Sequence, residues 1–228
     1  MMMTRHLEFC SRSPGTMAPT EKYLKDVVLT LPKSTAFVVM VIRKWNEKFG
    51  SKNPTTKSIE MIFMDEKSTT IQATIPIELI RKFEYVQEGL IYAIAHPDVK
   101  NNEGRYRVTG HPYRFEFTPF TKFLHREQTT GLSFPPSRFR ISSFTDIQNP
   151  ESSQDPYLID IIGAYDLDQT FIPQKSKKGD WYADFRLKHL EGESVLCTVY
   201  GDYVLQVKNF LSPTSKDAAL KDPVIFLL

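Results

Sequence analysis

KSIEMIFMDEKSTTIQATIPIELIRKF, residues 57–83, reads as strand, turn, strand and helix without a break. Lys57 to Met64 is rich in bulky apolar residues. Thr69 to Ile75 alternates polar and apolar positions, the period-2 signature of a strand with one face in a core. Asp65–Glu66–Lys67–Ser68 between them has turn chemistry, so the two strands form a hairpin. Pro76 follows at once, and proline suits the first helical position because it has no N–H to leave unpaired. Leu79, Ile80 and Phe83 keep helical spacing, which makes 76–83 a short helix.

The flanks extend the pattern. Ala36 to Ile42 (AFVVMVI) is a buried strand that runs into Arg43–Lys44–Trp45, and Asn46 to Thr56, with Gly50 and Pro54, reads as a loop. Leu90 to Ala95 is a fourth strand, and Asn101 to Gly104 a turn. Arg105 to Phe117 alternates and gives a fifth strand, bent near Gly110 and Pro112. Three strands, a helix and two more strands is the order of the OB-fold, a small Greek-key barrel.

Residues 118–156 are rich in Pro, Ser and Thr, with Phe134, Phe139 and Phe144 as anchors for docking onto a barrel. The same plan then repeats. Tyr157 to Ala164, Trp181 to Leu190 and Ser194 to Tyr200 are strands, and Asp166 to Gly179 is a long loop. Gly201 to Leu211 is a helix with Tyr203, Val204, Val207 and Phe210 on one stripe, and Pro223 to Leu228 is a fourth strand. The expected fold is therefore all-β: two tandem five-stranded OB barrels with a short helix between strands 3 and 4, the second cut off before its last strand. The expected division is a first domain at 20–130, a linker at 131–156 and a second domain at 157–228.

Bulk properties narrow the function classes. The 228 residues carry a net charge of only +2, but unevenly. Residues 1–130 hold 19 Lys/Arg against 14 Asp/Glu, and residues 131–228 hold 10 against 13, so the first part is the better match for a polyanion. Two cysteines, Cys10 and Cys197, exclude a disulfide framework and a Cys-rich zinc site. No apolar run approaches the ~20 residues of a membrane span. Met1 to Pro19 lacks the apolar core of a secretory signal. P-loop, HExxH and GxSxG motifs are absent, and the histidines lack metal-ligand spacing. The chain thus reads as a binding protein and not an enzyme, with no cofactor, metal, membrane or small-molecule substrate.

Three groups of segments together carry a family resemblance. They are SIEMIFMDEKSTTIQATIPIELIRKFE (58–84) with EGLIYAI (88–94); YRVTGHPYRFEF (106–117); and YLIDIIGA (157–164) with LEGESVLCTVYGDYV (190–204) and the terminal PVIFLL. Across residues 22–228 the chain resembles the plant family similar to the first two DNA-binding OB domains of the replication protein A large subunit. The resemblance implies single-stranded DNA binding across both barrels and a nuclear role in DNA replication, repair or recombination. It also implies contact with other replication protein A subunits. Nothing in the residues separates DNA from RNA.

Sequence-tolerant binding of single strands needs cations along the phosphates and aromatic faces under the bases. Arg43, Lys44 and Trp45 offer both at the end of the first strand, although Trp45 could equally cap the barrel beside solvated cations. Arg105 and Arg107 share one side of the expected fifth strand, where they serve a groove or protect a sheet edge. Trp181 and the lysines Lys175, Lys177 and Lys178 lie on or beside the long loop of the second barrel, a closing flap or an ordinary solvated loop. Tyr200 stands where the family carries a base-stacking aromatic, commonly Trp. At the first-barrel stacking positions the best matches are Ile59 and Ile94, which predicts weakened binding. A peptide-binding OB module and a degenerate fragment remain open as alternatives.

Overall fold

The computed structural model describes residues 20–32, 34–49, 55–103, 107–127, 133–135, 139, 141–149, 159–166, 168–189, 191–211 and 224–227. The first half comprises β1 (Thr20–Lys22), β2 (Thr35–Phe49), β3 (Thr55–Met64), β4 (Thr70–Pro76), α1 (Ile80–Phe83), β5 (Ile91–Ala95), β6 (Asp98–Asn101), β7 (Tyr113–Glu116) and β8 (Lys122–Arg126). Its sheet runs β6-β7-β4-β3-β2-β5-β8, with β1 beside β2. The β4–β7 pairing is parallel, and β3 and β5 flank β2 antiparallel.

This is an OB barrel with two broken strands. His96, at a positive φ of 56°, splits the fourth strand into β5 and β6. The Pro119–Phe120 turn splits the fifth into β7 and β8. β5 pairs with β2 and β7 with β4, while β6 pairs with β7 and β8 with β5, so each broken strand serves both ends of the curled sheet. The expected hairpin and helix are where the sequence puts them. β4 alternates buried and half-buried residues throughout, and α1 continues a 3₁₀ turn at Ile77–Leu79.

The barrel interior is aromatic. Phe37, Phe63, Tyr92, Phe115, Phe117 and Phe123 are all buried, and the Tyr92 and Phe123 rings stack with centroids 4.5 Å apart. Asp65 pins the 3₁₀ turn at Leu24 to the hairpin turn: its carboxylate accepts from Leu24 N at 2.8 Å, Lys67 N at 3.0 Å and Thr69 N at 2.9 Å.

Two expectations fail here. Residues 46–49 continue β2 instead of forming a loop. Residues 107–112 do not belong to the fifth strand, which starts at Tyr113. Asn102 and Pro112 explain this: Pro112 has no N–H to give a ladder, and Asn102 Nδ2 donates to His111 O at 2.9 Å and to Thr109 O at 3.4 Å. Carbonyls that a ladder would use are thereby committed to a loop.

The second half comprises α2 (Phe144–Gln148), β9 (Ile161–Tyr165), β10 (Gln174–Lys175), β11 (Trp181–Lys188), β12 (Ser194–Tyr200), α3 (Asp202–Phe210) and β13 (Val224–Leu227). Its sheet runs β10-β11-β9-β13, with β12 on the far side of β11. The helix again sits between the third and fourth main strands, so four of the five OB strand positions are filled among the described residues. Ala183, Phe185 and Leu187 face a core with Ile161, Tyr165, Val199, Val204 and Val207. Phe144 also lies in that core, so the segment between the barrels is docked there. The expected α3 stripe is half right: Val204 and Val207 are buried, but Tyr203 and Phe210 are exposed. Among the described residues no helix is long and apolar enough to cross a membrane.

Candidate nucleic-acid interface

Strand parity builds the site on the second barrel. With Ala183, Phe185 and Leu187 inward, Tyr182 and Asp184 point outward. On β12, Val199 is inward and Tyr200 outward. Tyr182 and Tyr200 are cross-strand partners, and their rings stack with centroids 6.3 Å apart and planes inclined 30°. Beside them Thr198 Oγ1 donates to Asp184 Oδ1 at 2.7 Å.

Trp181 opens β11, and Lys175 lies across from it on β10. The Lys175 ammonium sits 4.9 Å from the Trp181 ring centroid, a cation–π contact. The turn carrying Lys177 and Lys178 is closed by Ser176 N donating to Asp180 O at 2.8 Å, with Gly179 at a φ of 89° that favours glycine. Both lysines are exposed on it. After β12, Gly201 turns the chain with a φ of 57°, and its N–H donates to Trp181 O at 2.9 Å. That bond sets the start of α3, and with it Tyr203, next to Trp181.

Trp45 comes to the same place from the first barrel. A cleft of about 990 Å³ is lined by Trp45 and Lys48 of β2 and by Trp181, Tyr200, Tyr203 and Lys208 of the second half. Lys48 Nζ reaches Asp202 Oδ2 at 2.9 Å, an ion pair between the two halves. Trp181 is 48% exposed, Tyr200 61% and Tyr203 62%, so each keeps surface for a further stacking partner beyond the Lys175 and Tyr182 contacts. Trp45 is half-buried and also packs on an apolar cluster, so capping and lining are combined.

The remaining expected residues are elsewhere. A register shift between Val41 and Arg43 is a bulge that sets Arg43 opposite Ile62, Lys44 opposite Met61 and Trp45 opposite Glu60. Met61 points into the barrel, so Lys44 is on the other side of the sheet from Arg43 and Trp45. Lys44 Nζ donates to Val86 O at 2.6 Å, and burial lowers its pKa against the pull of Glu88 and Glu84. It ties β2 to the segment after α1 and is no groove cation. Arg43 is covered: its guanidinium carbon lies 4.9 Å from the Phe139 ring centroid, and Nη2 is 3.7 Å from Asp160 Oδ1. Arg105 lies outside the described residues, and Arg107 is in the loop before β7. Ile59 and Ile94 are core residues, so they do not stand at outward stacking positions.

Tyr182, Tyr203 and Lys48 were missed by the sequence reading. Tyr182 was findable as the outward neighbour of inward Ala183. Tyr203 and Lys48 were not, because they depend on how two distant segments meet. Among the described residues no group of three or more His, Cys, Asp or Glu side chains could hold a metal ion.

The family profile described as Domain of unknown function DUF223 matches residues 32–147, half of the chain. The chain belongs to the DUF223 family. No curated protein matches the DUF223 chain in sequence. A solved replication protein A heterotrimer bound to ssDNA shares its fold with a TM-score of 0.60 at 17% identity, covering 90% of the DUF223 chain. The DUF223 chain spans about half of that chain, 46%. An Ifi202 HINa domain in complex with 20-bp dsDNA gives a TM-score of 0.41 at 15% identity, covering 72% of the DUF223 chain and 73% of its own. The OB domain of a Thermoplasma acidophilum protein gives 0.35 at 11% identity, covering 50% and 92%.

Proposed function

We propose that this chain binds single-stranded nucleic acid, DNA foremost, along the cleft between its barrels and the outer face of β11 and β12. One observation carries the reading: half-buried Trp45 of the first barrel and exposed Trp181, Tyr200 and Tyr203 of the second converge on one cleft lined by Lys48 and Lys208, with Lys175 over the Trp181 ring. Stacking on such rings tolerates any base, and the lysines supply the salt-sensitive phosphate contacts. The fold shared with an ssDNA-bound replication protein A chain supports the same reading. On this account the chain is a binding module of the replication protein A large-subunit type, as in the plant family, and not an enzyme. It needs no cofactor and works in the nucleus in replication, repair or recombination, with other replication protein A subunits as partners.

The chain's two tryptophans, Trp45 and Trp181, both line the cleft, which gives a direct test. Titration with unlabelled oligo-dT should quench intrinsic fluorescence, and added salt should restore it. Unchanged fluorescence at low salt would defeat the proposal.

A further inference from the structure

The outer face of the first barrel carries an apolar platform. Met40 and Ile42 of β2, Ile62 and Met64 of β3 and Ile91 of β5 cluster on the side of the sheet away from the barrel core. An outward face is normally polar, so this one needs a cover. The chain supplies it from its own connecting segment. Phe134 packs on the platform together with Val108 of the loop between β6 and β7. Ser133 N, donating to Glu66 Oε1 at 2.7 Å, fixes the segment to the β3–β4 turn.

Arg43 stands beside this cover. Its guanidinium lies over the Phe139 ring at 4.9 Å, and its Nη2 is buried with no hydrogen-bond partner, although Asp160 Oδ1 is 3.7 Å away. A buried donor left unbonded is costly, and a phosphate oxygen would satisfy it. One ring on a strand platform and a second against a guanidinium on the same side of the strand match what a stacked base and its phosphate require on an OB face.

We propose that Phe134 and Phe139 are intramolecular stand-ins for bases, which close the outer face of the first barrel until a nucleic-acid strand displaces them. The inference rests on the nucleic-acid reading of the cleft. The cleft of the resting chain is open, and the platform is a second, self-occupied site with Arg43 as its phosphate ligand. Short strands fill the cleft alone, and strands long enough to cover both barrels compete with the segment.

The experiment compares oligo-dT of about 8 and about 16 nucleotides, one and two OB site sizes. They are titrated by anisotropy into the wild-type chain and into Phe134→Ser/Phe139→Ala. The opened variant should bind the long strand about tenfold more tightly and the short strand unchanged, a gain in the range of one stacked base. Arg43→Ala should leave short-strand affinity unchanged in the wild-type chain, and should abolish the long-strand gain in the opened variant. Glu66→Ala, which cuts only the Ser133 tether, should give a smaller gain of the same sign and covers the case that the double variant does not fold. If the wild-type chain binds and the opened variants match it, the self-occupied site is refuted and the cleft reading stands. If no form binds either strand, both fall.

Discussion

Trp45 and Trp181 line the same cleft, one from each barrel. Neither barrel completes the site alone: the first supplies Trp45 and Lys48, and the second supplies Trp181, Tyr200 and Tyr203. A strand lying there would touch both barrels at once.

Trp181→Ala and Tyr200→Ala should each weaken oligo-dT binding by about 1–3 kcal/mol, the contribution of one stacked base. Lys44→Ala should leave the affinity unchanged and lower the melting temperature, because Lys44 bonds Val86 O and Glu84 O inside the first half. Anisotropy and thermal melting of the same variants separate the two roles.

The hairpin at 57–83 was legible because strand period, turn residues and Pro76 are all local signals. The broken fourth and fifth strands were not. Their short outer halves, β6 and β8, carry too few residues to show a period, and the breaks at His96 and Phe120 come from barrel closure. Arg43, Lys44 and Trp45 read as one unit in the sequence, but in the structure they fall on two sides of β2. The bulge after Val41 decides which side each takes, and no residue in AFVVMVIRKW announces it. Tyr200 stands out in the sequence through the family resemblance and Trp181 by its place beside the long loop; in the structure both stand at strand ends that line the cleft.

Gly163 has no room for a side chain. A Cβ there would meet Phe144 Cζ at 2.9 Å, Leu187 Cβ at 3.0 Å and Lys188 O at 3.1 Å. Gly163→Ala should therefore cost about 1–3 kcal/mol in overpacking, read as a lower denaturant midpoint. Gly192→Ala, where no atom lies within 4 Å, suffers backbone strain at φ +91° but no clash.

Asp65→Ala would leave the N–H groups of Leu24, Lys67 and Thr69 without their acceptor. The cost should reach about 1–3 kcal/mol for a buried group so stranded. Hydrogen exchange should show the amide of Leu24 losing protection first.

Burial pushes the Cys197 thiol up from 9.0 to about 11. At pH 8 it should react slowly with thiol reagents in a Cys10→Ser background and quickly once the chain is denatured. The sign for stability follows from linkage. Between about pH 9 and pH 11 the unfolded thiol has lost its proton and the folded one has not, so this group's contribution falls as pH rises. A Cys197→Ala variant should show a flatter alkaline stability curve.

The most direct test is fluorescence anisotropy of labelled oligo-dT across a salt series, with the wild-type chain, Trp45→Ala and Trp181→Ala side by side. The account predicts binding that falls steeply with salt and is weakened by either substitution, since the two rings share one cleft. Absence of binding at low salt, or equal affinity in all three proteins, would contradict it.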